Sequence, residues 1–201
     1  MLELSEAQLN SLSAWMSSSA DRATTTLNSV VNHRFQISIS DVKLVETNLL
    51  QDHISYAESG LLTSVQLAFG GAFEGCAVLL VSQETAGILI ASLTDETQDS
   101  MDMDELKSGT LMEIGSVVIN SMMGTVTDLL KVVLRYAVPA YAECDLDQIG
   151  DLCGDHKDRS LLLAEVSFIV DDLEVNGTIM FCFQTSLYKE MMQSVERGLV
   201  I

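Results

Sequence analysis

Apolar positions along the chain alternate between two periods. From Ser5 to about Val31 they fall at Leu9, Leu12, Met16, Ala20, Ala23, Leu27 and Val30, three or four apart, as on a helix laid against a core. Ser5, with Gln8 three residues on, has the form of a capping box. The same stretch carries Ser17-Ser18-Ser19 and Thr24-Thr25-Thr26. Their modest helix propensity means that burial must hold the helix. Phe35-Gln36-Ile37-Ser38-Ile39-Ser40 switches to strict alternation, which predicts a half-buried strand running toward Glu46. Asn48 to Gly60 is polar and reads as a loop. Leu61 to Phe69 and Phe73 to Val81 predict two strands joined by a tight turn at Gly70-Gly71. Cys76 to Val81 is unbroken apolar sequence, the mark of a strand buried on both faces. Ser82 is placed to cap a short helix through Ala86, Leu89, Ile90 and Leu93.

The second half repeats this order. Ile114, Val118, Met122, Val126, Leu129 and Val133 line a helix from about Asp104 to Leu134. The strand Tyr136 to Glu143, a polar stretch from Cys144 to Arg159, the strand Leu161 to Val170, a turn at Asp171-Asp172 and the strand Val175 to Phe183 come next. A final helix is expected from Ser186 to about Arg197. Glu74-Gly75-Cys76-Ala77-Val78-Leu79-Leu80-Val81-Ser82 matches Asn176-Gly177-Thr178-Ile179-Met180-Phe181-Cys182-Phe183-Gln184 in turn, spacing and apolar run. Two such halves imply internal duplication of a helix–strand–β-hairpin–helix unit. The expectation is one pseudo-twofold α+β domain over residues 1–201, with a largely antiparallel sheet and long helices on one face. Repeat 1 would span about 5–95, an acidic connector about 94–105, and repeat 2 about 104–197.

Charge narrows the possible partners. The 201 residues hold 10 Lys plus Arg against 29 Asp plus Glu, a formal charge of -19. Such a surface repels phosphate backbones and anionic lipid, so neither nucleic acid nor a membrane surface is an expected partner. Hydrophobic content of 48% with a single proline argues against long disorder. Met1-Leu2-Glu3-Leu4-Ser5-Glu6 lacks the basic and apolar regions of a signal peptide, and no apolar run approaches a membrane span. A cytoplasmic location is expected. Cys76, Cys144, Cys153 and Cys182 have no CxxC spacing and read as reduced thiols.

Two acidic stretches invite a metal reading. Asp95, Glu96, Asp99, Asp102, Asp104 and Glu105 lack the glycine and terminal glutamate of a calcium loop. These acids suit the N-terminus of the following helix instead. Cys153-x-x-His156 lies among Asp145, Asp147, Asp151, Asp155 and Asp158, and only Cys144 could extend it. A structural zinc site wants four ligands in paired clusters. No metal site is expected.

The long second helix carries the chemistry. Glu113, Ser116, Asn120, Thr127 and Lys131 fall on one polar ridge beside its apolar face. Leu111-Met112-Glu113-Ile114-Gly115-Ser116, followed by Pro139 at the start of a strand, resembles the signature of the bacterial chemotaxis phosphatases of the CheC, CheX and FliY family. That signature is a helix bearing Glu-x-x-Asn and, some twenty residues on, a proline, in a tandem duplication that would cover nearly this whole chain. The resemblance places Ser116 where the family has asparagine. In the first half it places Ala14 and Ser17 at the glutamate and asparagine positions, so neither member survives there.

Membership would imply docking of both helices on a phosphorylated CheY-like receiver domain. The glutamate meets a receiver lysine, and the asparagine amide positions the water that attacks the aspartyl phosphate. The chain would then need no cofactor of its own, since phosphoryl group, aspartate and Mg²⁺ all belong to the receiver. A neutral group that both donates and accepts suits that task. Serine does both but is shorter. Losing one positioned group typically costs about 10²–10³ in rate. Asn120, about 6 Å further along the helix axis, is the residue that could substitute. The expected function is therefore receiver binding with uncertain hydrolysis. Two alternatives remain, a non-catalytic scaffold of the flagellar switch type and a metal-dependent enzyme built on the Cys144 to Asp158 loop. Oligomeric state, including a homodimer, is open.

Overall fold

The structure, a computed structural model, describes residues 5–31, 33–54, 61–94, 103–145, 148–149 and 159–184, with 193. The final helix expected from Ser186 to about Arg197 except Gln193, most of the acidic connector expected at about 94–105, and Cys153 with His156 lie outside the described residues. The described elements are α1 (Glu6–Val30), β1 (Phe35–Val45), a 3₁₀ segment (Thr47–His53), β2 (Leu62–Gly71), β3 (Gly75–Ser82) and α2 (Gln83–Thr94). They continue with α3 (Met103–Leu130), β4 (Leu134–Tyr136), β5 (Ala140–Cys144), β6 (Arg159–Val170) and β7 (Leu173–Gln184). Among the described residues no helix is long and apolar enough to cross a membrane.

Local chemistry starts the helices as the sequence implied. At the head of α1 the Gln8 amide donates to Ser5 Oγ (3.2 Å), and the Ser5 amide donates to Gln8 Oε1 (3.0 Å). Both orphan donors are thus satisfied. Ser82 Oγ accepts from the Thr85 amide at 3.0 Å and opens α2. The α3 helix stops at Leu130, short of the expected Leu134, because Lys131 turns to φ 53°. The Val132 amide then reaches back to the Thr127 carbonyl at 3.1 Å, a Schellman-type closure. Val133, expected on the apolar face, therefore leaves the helix and is 84% exposed. Val30, at the end of α1, is likewise 61% exposed.

All strand pairings are antiparallel, in the order β1-β6-β7-β3-β2-β4, with β5 also on β2. This order is a palindrome once β1 is matched to β4 and β5, β2 to β6, and β3 to β7. The two hairpins meet at the centre, where Val78 lies opposite Met180. These are also equivalent residues in the repeat alignment, so the pseudo-twofold axis passes between them. The first strand of each half pairs with the hairpin of the other half, which interleaves the repeats. Each outer strand also carries the same irregularity. From Ser40 to Lys43, β1 advances three residues while β6 advances two, Glu165 to Leu163. From Tyr136 to Ala140 the other edge advances four while β2 advances three, Phe69 to Gln66. Pro139, which has no N–H to give a ladder, sits in that break.

The helices and the sheet enclose one core. Leu12, Trp15, Met16 and Leu27 of α1 and Ile114, Val118, Met122 and Val126 of α3 pack with Val65, Leu79, Ile179, Phe181 and Phe183. Trp15, between two expected apolar positions, is 2% exposed. The opposite sheet face forms a second core. Val78, Leu80, Leu161, Met180 and Cys182 pack there with Leu50 of the 3₁₀ segment and Ile54 just after it. β3 and β7 are thus buried on both faces. The first hairpin differs from expectation. Gly70 and Gly71 are not its turn but continue β2, opposite Arg135 and Leu134. The turn falls at 72–74. Gly71 has φ 136°, and a Cβ there would sit 3.0 Å from the Val133 carbonyl oxygen, so the second half's first strand needs glycine at this place.

Candidate functional site

The polar ridge of α3 begins where the helix crosses β2. A Cβ on Gly115 would lie 2.7 Å from Val65 Cβ. Glycine is what allows α3 to approach the sheet so closely there. Glu113 is exposed, and among the described residues it makes no hydrogen bond or ion pair. Ser116, one turn on, is half-buried, and its hydroxyl donates to the Met112 carbonyl of its own helix. Such i−4 back-bonding satisfies a serine locally and turns it along the helix instead of outward. Asn120 is exposed at the next turn.

On α1 the corresponding positions are exposed Ala14 and half-buried Ser17. The two helices pack together beyond these positions. Ser19 donates to Thr125 Oγ1 at 2.8 Å, and Thr125 donates to the Ser121 carbonyl at 3.1 Å. Arg22 and Asp128 form an exposed ion pair at 3.3 Å. Between them runs a groove of about 560 Å³ lined by residues of both helices, with Ser18, the neighbour of Ser17, and Asn120 on its walls. The sequence reading found the ridge but not the groove or the spacer role of Gly115. The glycine in Glu113-Ile114-Gly115-Ser116 was the available signal.

Elsewhere the titratable groups are mostly structural. Asp171 in the β6–β7 turn lies 3.1 Å from His33 Nδ1 and accepts from the Arg34 amide at 3.2 Å. The contact with His33, then the amide, hold its carboxyl below the usual range. Cys144 is buried in the second core. Burial pushes its thiol up, against a lowering contact from Ser64, with the charge of Asp145 adding to the rise. Cys76, Cys144 and Cys182 are reduced thiols. No cluster of metal-ligating side chains occurs among the described residues.

A palindromic antiparallel sheet under two long helices, each half a helix–strand–hairpin repeat, is the fold shared by the CheC/CheX/FliY-like chemotaxis proteins. No protein-family profile matches the chain. Solved structures do. FliY from Thermotoga maritima superposes with a TM-score of 0.72 at 15% identity, over 98% of this chain and 99% of that one. The FliM–SpeE complex from H. pylori gives 0.63 at 12%, over 99% and 100%. The CheX–CheY–BeF3–Mg complex from Borrelia burgdorferi gives 0.52 at 19%, over 85% and 98%. At these identities the likeness is one of fold.

Proposed function

We propose that this chain binds the phosphorylated state of a CheY-like receiver domain through the polar ridge of α3 and leaves most of the aspartyl phosphate intact. The observation that carries this reading is the pair at one turn's spacing. Glu113 is free to meet a partner, while the Ser116 hydroxyl is spent on Met112. In this reading the receiver supplies the phosphoryl group, its aspartate and Mg²⁺, and this chain would contribute only contact and orientation. Water in-line with the phosphorus needs a donor and acceptor that reaches across the interface. A serine turned back on its own helix has committed its donor and is too short to reach that depth. With Ala14 and Ser17 on α1, the first half adds no second site.

The solved CheX–CheY complex supports a receiver as the partner class. A second reading, a flagellar-switch scaffold whose partner is not a receiver, is favoured by the better superposition on FliM, 0.63 against 0.52. Titration of a beryllofluoride-loaded CheY-like receiver separates the two. Glu113→Ala should weaken the contact by about 1.5–3 kcal/mol, the worth of a charge-assisted hydrogen bond. Ala14→Glu should leave affinity near the native value. Native protein that ignores every receiver tested favours the scaffold.

A further inference from the structure

Helix α3 contains three glycines, Gly109, Gly115 and Gly124, and their surroundings differ. Gly115 is required, since Val65 leaves no room for a Cβ. Gly124 is not, because a Cβ built there meets no atom within 4 Å. A glycine inside a helix is destabilising relative to alanine, by backbone entropy alone. Among the described residues no packing contact repays that at Gly124. Gly109 is equally open, but it is exposed and is not on the wall of the groove between α1 and α3. Gly124 is half-buried on the wall of the groove between α1 and α3, beside Ser121 and opposite Ser18, Asp21 and Thr25.

The electrostatics of the groove choose the occupant. Asp21 lies on its wall, and Arg22 is already bridged to Asp128 at 3.3 Å. Asp128, which is not on the groove wall, thus offsets the Arg22 charge and leaves Asp21 as the unpaired charge on the wall, on a chain of formal charge -19. Ser18, Ser121 and Asn120 line the remainder. An anion is disfavoured in such a place, and a long cationic side chain is favoured. Its ammonium or guanidinium would meet Asp21, and its methylene stem would cross the bare backbone at Gly124. Asn120 joins this groove to the ridge of Glu113 and Ser116, so one partner could cover both.

We propose that the groove over Gly124 receives a lysine or arginine side chain of the protein that docks on the α3 ridge. This rests on the receiver-binding reading and extends its interface two turns toward the C-terminal end of α3. The distinctive consequence is that stability and affinity move in opposite directions. Gly124→Ala should raise Tm while weakening binding of a beryllofluoride-loaded CheY-like receiver about threefold, and Gly124→Leu should weaken it tenfold or more, by filling the notch. Asp21→Asn should cost about threefold and flatten the salt dependence of binding. Both Gly124 variants binding as tightly as native protein, while Glu113→Ala still weakens the complex, would overturn the groove and leave the receiver reading standing. Absence of receiver binding by native protein would overturn both. Should Gly124→Leu fail to fold, Gly124→Ala and Asp21→Asn carry the same decision.

Discussion

Ser116 and Asp171 are both small polar residues whose partners fix what they can do. The Ser116 hydroxyl donates to Met112 on its own helix, which removes the one proton it could offer to a docked partner. An asparagine at that place has two N–H groups and a carbonyl on a longer stem. Asp171 stands at φ 54° in the β6–β7 turn, a conformation that aspartate tolerates better than most residues. There it holds the start of β1 through His33 and the Arg34 amide. Its folded-state pKa is depressed, so its contribution is complete above the unfolded carboxylate value of about 3.9 and is lost as pH falls through the lower, folded one. Asp171→Asn should therefore remove part of the acid sensitivity of unfolding. Denaturant midpoints of the two proteins, measured from pH 7 down to pH 3, should converge at the acid end. A constant gap over that range would show that the charge is not what matters.

At the scale of elements, the approach of α3 to β2 is the joint on which the candidate site depends. Gly115→Ala would place a methyl 2.7 Å from Val65. Overpacking of this kind costs about 1–3 kcal/mol, partly offset by about 1 kcal/mol of helix propensity. Thermal unfolding should show a Tm lowered by a few degrees, with receiver affinity reduced as well, because Glu113 moves with the helix. An unchanged Tm would mean that the contact is looser than it looks. The helices and most strands were legible in the sequence because their burial is periodic, as at Leu12, Met16 and Leu27, or unbroken, as at Cys76 to Val81. The misreadings have local causes. Val133 continues the α3 period, but Lys131 has already turned the chain. Gly70-Gly71 has turn chemistry, yet its small size serves the crossing of β4. The break at 137–139 was signalled by Pro139, but its one-residue register shift became visible only beside the matching bulge in β1. Of the candidate site, Glu113, Ser116 and Asn120 could be placed on one ridge by spacing, and only the resemblance singled them out from Thr127 and Lys131. The commitment of Ser116 and the groove over Gly124 depend on side-chain direction and on α1, which one helix's sequence does not encode.

For the whole molecule, interleaving of the two halves ties the candidate site to the entire sheet. The strand that follows α1 pairs with the second hairpin, and the strands that follow α3 pair with the first, so α1 and α3 are fixed relative to each other through both halves. Duplication gives two equivalent helix faces, with Glu113 on one, Ala14 at the matching place on the other, and the polar groove between the pair. The central claim is that the surviving face binds a phosphorylated receiver while lacking the group that positions water. It is tested most directly by aspartyl-phosphate decay on a CheY-like receiver, followed as phosphate release with native, Ser116→Ala and Ser116→Asn proteins at saturating concentration. The asparagine variant loses at most a few tenths of a kcal/mol in helix propensity, too little to unfold the domain. The account predicts that native and Ser116→Ala proteins leave the decay close to that of the receiver alone, and that Ser116→Asn speeds it by up to about two orders of magnitude. Fast decay with native protein, abolished by Ser116→Ala, would contradict it.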